Sequence, residues 1–182
     1  MTERIPLTIL KNLVHNETYT RQVIPFIEPD YFEERSDKIV FEEIAKFLSS
    51  YDKNPTKEVL HIEVEKRVDI NEEEYKNIEQ LISALDNTES ESEWLLNTTE
   101  EWCKQRAIYL ALIKSIQIAD GQDEHKKPDA IPNILSDALA VGFDQHVGHD
   151  YLDDSEDRYA YYHRIENKIP FDLEYFNKIT SG

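Results

Sequence analysis

From residue 93 to residue 120 the chain contains neither proline nor glycine, and inside that run lies "AIYLALI", residues 107–113, apolar at every position. A stretch of good helix formers without a breaker folds as helix. At 1.5 Å per residue, a helix over 93–120 extends about 40 Å, more than a small domain needs to span itself. A helix that is apolar all the way round must be covered all the way round. What covers it is the question that organises the rest of the sequence.

One cover lies next door. After the polar loop "GQDEHKKPD" a second helix is predicted, with Pro132 near its first turn and Ile131, Ile134, Leu135, Ala138 and Leu139 on one stripe that ends near Gly142. Two helices joined by a short polar loop make an antiparallel hairpin, assigned to residues 91–144. The second helix covers one side of the first. The opposite side is covered either by the preceding residues folding back or by a second copy of the hairpin. Two-fold dimers are the commonest symmetric assemblies, which favours the second copy.

The preceding residues, 1–90, read as a head of short helices. Leu7, Ile9, Leu10, Leu13 and Val14 give one apolar face, and a segment with Val23, Ile24, Phe26 and Ile27 is broken at Pro25. Ser36 is the expected N-cap of a helix carrying Ile39, Val40, Ile44, Phe47 and Leu48, with Asn54 and Pro55 as its stop. Thr56 caps a segment with Leu60, Ile62 and Val64, whose alternation also suits a strand. Asn71 and Glu74 have capping-box spacing ahead of Tyr75, Ile78, Leu81, Ile82 and Leu85. Four glycines, seven prolines, 40% apolar and 32% charged residues suit an all-α, globular chain. The expected architecture is a compact helical head followed by the long hairpin.

The charge excludes one class of partner. With 38 acidic against 20 basic residues the net charge is −18, a surface that repels phosphate and suits basic proteins. The single cysteine, Cys103, leaves no internal disulfide and reads as a small core residue, which fits a reducing, cytosolic setting. No apolar run reaches membrane-spanning length, so the N-x-T matches at Asn16 and Asn97 are taken as chance. No glycine-rich phosphate loop occurs. His146, His149 and Asp150 have a spacing that could hold a metal, but histidines beside a glycine read first as polar connector residues. His61 with Glu63 reads as an ordinary helix-face pair. No catalytic residue, metal ligand or cofactor is assigned.

Beyond the hairpin, residues 145–168 read as a connector around Gly148 and then a helix. Asp153, Asp154 and Ser155 suit its first turn, and Tyr159, Tyr162 and Ile165 its apolar side. A patch like that with little to pack on reads as a binding surface. Residues 169–182, "IPFDLEYFNKITSG", have the apolar spacing of a domain's opening.

These residues resemble a known family. "VIPFIEPDYFE", "QRAIYLALIKSIQI" and "DAIPNILSDALAVGFDQHVGHDYLDD" together resemble the N-terminal region of the replicative DNA helicases of T-even-type bacteriophages, divergent DnaB-type hexameric helicases. Pro170, Leu173, Phe176, Thr180 and Gly182 sit where DnaB-type motor domains open with Pro, Phe, Leu, Thr and Gly, whereas Phe171-Asp172 replaces Thr-Gly and Asn177 replaces Asp. The resemblance implies a collar in which subunits pair through the hairpin, here through Trp102, Tyr109, Leu110, Ile113 and Ile116. It implies that the 153–166 helix docks through Tyr159, Tyr162 and Ile165 on a neighbouring motor domain, and that the collar meets primase and a helicase loader. ATP, magnesium, DNA translocation and hexamer formation belong, on this resemblance, to a parent protein acting in the bacterial host cytoplasm. The 182 residues themselves are expected to be non-catalytic. A rival reading from charge is a free-standing acidic protein that mimics DNA or blocks a basic host enzyme, and a third is a helical adaptor.

Overall fold

Why the head folds as it does is visible at its helix ends. The computed structural model describes residues 4–87, 91–122 and 127–143, and these fall in one compact unit that extends to Phe143. Among them are seven α-helices and no strand: α1 (Ile5–His15), α2 (Glu17–Val23), α3 (Arg35–Tyr51), α4 (Lys57–Glu65), α5 (Glu72–Ser83), α6 (Ser92–Ala119) and α7 (Ile131–Leu139). Short 3-10 turns occupy Ile24–Phe26, Pro29–Tyr31 and Pro128–Ala130. The fold is all-α.

Asn71 caps α5 with its side chain accepting from the Glu73 and Glu74 amides, while the Glu74 carboxylate accepts from the Asn71 amide, the reciprocal box expected from the spacing. Thr56 caps α4 by accepting from the Val59 amide. The ambiguous 60–64 stretch is helix because Leu60 and Val64, four apart, are buried at 0% and 1% exposure, whereas Ile62 is 52% exposed. Burial there follows the 3.6 period rather than the alternation of a strand.

Two expected ends are displaced. Helix α3 starts at Arg35, with Glu34 as the cap residue and no side-chain cap bond, so Ser36 lies inside the first turn. The Glu34 side chain turns instead to a distant partner: Arg4 Nη1 donates to Glu34 Oε1 at 2.6 Å, an exposed pair. The same helix stops before Asn54, because Asp52 turns left-handed at φ 52° and its amide bonds the Leu48 carbonyl. Asn54 is used elsewhere, its amide donating to Thr20 Oγ1 at 3.2 Å.

The core is continuous from head to hairpin. Leu10, Leu13, Val23, Ile44, Leu60, Ile78 and Ile82 are buried in one cluster with Leu95, Trp102 and Cys103 of α6. Helix α3 packs on α1, α4 and α5, and α6 packs on α7, α1, α2 and the 29–31 turn. Two polar ties reinforce that junction. Tyr19 Oη and Thr99 Oγ1 are 2.7 Å apart in the interior, and Arg106 Nε donates to the Tyr31 carbonyl at 2.7 Å. An ion-pair web fixes the α4–α5 turn: Arg67 binds Asp69 through two bonds of 2.9 and 2.8 Å, and its Nη1 reaches Glu42 and Glu43 at 2.9 Å each. No helix among the described residues is long and apolar enough to cross a membrane.

Candidate functional site

Helix α6 has two apolar faces, and the fold covers one. The buried positions, Leu95, Thr99, Trp102, Cys103, Ala107, Ala111, Ser115 and Ile118, step by three and four along one side. On its C-terminal half these are small, Ala107, Ala111 and Ser115, which lets α7 approach closely enough to bury Ala138. The Ser115 hydroxyl, buried there, donates back to the Ala111 carbonyl at 2.7 Å. At 100° per residue the opposite side carries Tyr109, Leu112, Ile113 and Ile116. Their exposures are 52%, 48%, 36% and 60%. The spacing of three, four and seven residues puts all four on one stripe.

The stripe's upper end is held in place. The Arg106 guanidinium sits 5.0 Å from the centre of the Tyr109 ring. It is fixed there by the Tyr31 carbonyl and by an ion pair with Glu33, and its side chain is only 12% exposed. A cation over an aromatic face restrains the ring as well as attracting it. Tyr109 therefore stands as an ordered aromatic beside three aliphatic side chains, a pattern common where protein surfaces meet.

Of the five residues expected to pair subunits, Tyr109, Ile113 and Ile116 lie on this exposed stripe. Leu110 is half-buried against the core of its own chain. Trp102 is buried under the head, 5.1 Å from the Phe32 ring centre and edge-on to Tyr31. It ties α6 to the head and contributes nothing to the open face. Leu112, three residues from Tyr109, is a fourth member of the stripe that no sequence signal marks, because inside a fully apolar run no single residue announces its direction. Leu139, expected on the packed stripe of α7, is 69% exposed at the helix end.

Tyr159, Tyr162, Ile165, the His146–His149–Asp150 group and the 169–182 stretch lie outside the described residues. Cys103 is buried at 0% exposure, and burial pushes its thiol up to about 12, with the Glu100 carboxylate adding to the shift. His61 lies 4.0 Å from Glu79, while Glu63 pairs with Lys66 and Lys46. Among the described residues no group of three or more His, Cys, Asp or Glu side chains could hold a metal ion.

No family model matches the sequence. The chain is 35% identical, over 182 aligned positions covering 96% of its length, to the DnaB-like replicative helicase of Enterobacteria phage T4. It spans 38% of that helicase's length. Identity of that degree along nearly the whole chain makes this all-helical protein a homologue of one region of a DnaB-like replicative helicase.

Proposed function

We propose that the chain is the assembly collar of a phage replicative helicase, and that the exposed stripe of α6 pairs subunits in the ring. The observation that carries this reading is the open face of Tyr109, Leu112, Ile113 and Ile116 on a helix whose other side is fully packed. Homology to part of a helicase supplies the context. In a two-fold pairing each of the four side chains is buried twice. At about 1.5–3 kcal/mol for fully burying such a side chain, and with about half of each already covered, the eight burials contribute on the order of 6–12 kcal/mol gross. A micromolar dimer of roughly 8 kcal/mol therefore also draws on the surface around the stripe to meet the cost of association.

In this reading the 153–166 helix docks through Tyr159, Tyr162 and Ile165 on the neighbouring subunit's motor domain. Primase and a helicase loader are the collar's partners. Coupling of ATP and magnesium to DNA unwinding is the work of the motor, in the host cytoplasm, and the 182 residues described by this sequence perform no hydrolysis. The net charge of −18 suits a collar that leaves DNA to other parts of the ring.

The experiment is the paired substitution Ile113→Asp and Ile116→Asp. Both side chains are exposed, so the variant is expected to keep its far-ultraviolet circular dichroism and its melting cooperativity while losing self-association. Unchanged association by the folded variant would place the pairing surface elsewhere.

A further inference from the structure

A cleft of about 330 Å³ opens where the start of α1, the 29–34 turn, the first turn of α3 and the middle of α6 meet. Its charged lining is unbalanced. Three carboxylates, of Glu33, Glu34 and Asp37, face two guanidiniums, of Arg4 and Arg106. Arg106 is fully engaged by Glu33, the Tyr31 carbonyl and the Tyr109 ring. Arg4 is half-exposed and divided between two acids: its Nη1 bonds Glu34 at 2.6 Å, and its Nη2 stands 3.5 Å from Asp37 Oδ1. That Asp37 oxygen is buried and accepts no hydrogen bond, and the side chain as a whole is 2% exposed. The surplus negative charge therefore falls on Asp37, whose Oδ1 accepts no hydrogen bond and has the Arg4 guanidinium at 3.5 Å as its ion-pair partner.

We propose that this cleft receives a lysine side chain from a basic partner protein, whose ammonium replaces the Arg4 guanidinium at Asp37. An ammonium carries three donors in a compact head, so one group can serve Asp37 and the Glu33 and Glu34 rim together. The walls are apolar and aromatic, with Pro6, Tyr31 and Trp102, and they cover the four-carbon stem of a lysine. A phosphate would meet three carboxylates, and the chain's net charge of −18 draws basic proteins and repels nucleic acid. Arg4 is the resident cation, held by a solvent-exposed pair with Glu34 of the kind that contributes little, so its displacement costs little. This cleft adjoins the α6 stripe at Arg106, which lines the one and sits over Tyr109 of the other, but the carboxylates that would bind the ammonium lie outside the stripe.

The test uses the full chain with Trp94→Phe, which leaves Trp102 as the one tryptophan of two and removes an exposed side chain only. The probes are Nα-acetyl-lysine methylamide and its norleucine counterpart, which has the same stem and no ammonium. Trp102 fluorescence and its indole N–H resonance are followed during titration. Saturable binding of the lysine probe is expected, with the norleucine probe weaker by about tenfold or more, the scale of one charge-assisted hydrogen bond. Arg4→Gln should bind the lysine probe severalfold more tightly, because it removes the competitor. Asp37→Asn should bind it about tenfold more weakly. Equal responses to the two probes, no saturable response in Arg4→Gln, or no tightening by that variant would each overturn the proposal. These results decide the matter even where Asp37→Asn fails to fold.

Discussion

Replacing Thr99 by Val probes the tie that positions α6 on the head. The Thr99 hydroxyl lies 2.7 Å from the Leu95 carbonyl and 2.7 Å from Tyr19 Oη. A carbonyl brings no proton, so Thr99 donates to Leu95 and Tyr19 must donate to Thr99. Burial pushes the Tyr19 phenol well above its ordinary value, so it keeps that proton at every working pH. Thr99→Val preserves shape and β-branching but strands a phenol that is 3% exposed. A buried donor without a partner costs about 1–3 kcal/mol. Tyr19→Phe removes the donor and leaves the Thr99–Leu95 bond intact, so it should cost less, about 0.5–1.5 kcal/mol. In the double variant no donor is stranded, and its cost should fall short of the sum by about 1 kcal/mol. Urea unfolding followed by circular dichroism at one fixed protein concentration measures all three, with midpoint shifts on the order of 1 M. A Thr99→Val variant no less stable than Tyr19→Phe, or strict additivity in the cycle, would refute this donor assignment.

Asp69 is held down to about 2, chiefly by its hydrogen bonds from Arg67. Its folded value lies below the unfolded value near 4, so its contribution is present above about pH 4 and lost as pH falls towards 2. Asp69→Asn should melt below the parent at pH 7, with the gap closing across that window; a gap constant down to pH 2 would contradict the pairing. Cys103, buried and pushed up to about 12, should resist a thiol reagent in the native state and react at the rate of unfolding. Rapid labelling of folded protein would mean that the junction between α6 and the head opens.

What the sequence made legible was local. The capping box at Asn71 and Glu74, the Thr56 cap and the long unbroken helix all depend on residues within a turn of one another, and each is found in the structure. The start of α3 differs from a Ser36 cap: Glu34 takes the cap position with its side chain paired to Arg4, thirty residues away, a partner no local pattern names. The need of residues 107–113 for cover on both sides was readable, but the direction of each side chain was not. An all-apolar run has no periodicity to orient it, so Leu110 and Leu112 are sorted only by the docking of α7 and the head, while Trp102, outside that run, is claimed by the aromatic contacts of Phe32 and Tyr31. The cleft was invisible for a related reason: its walls come from residues 4–6, 31–37 and 102–106, which only tertiary packing brings together.

Sedimentation equilibrium of the unsubstituted chain tests subunit pairing most directly. A concentration-dependent mass that approaches twice the chain mass of 21.4 kDa is expected, with a midpoint on the order of 1–10 μM for a pairing through the stripe and the surface around it. A single species at the chain mass up to roughly 100 μM, where even a dimer about tenfold weaker than that would be well populated, would show that the α6 face does not bind a second copy.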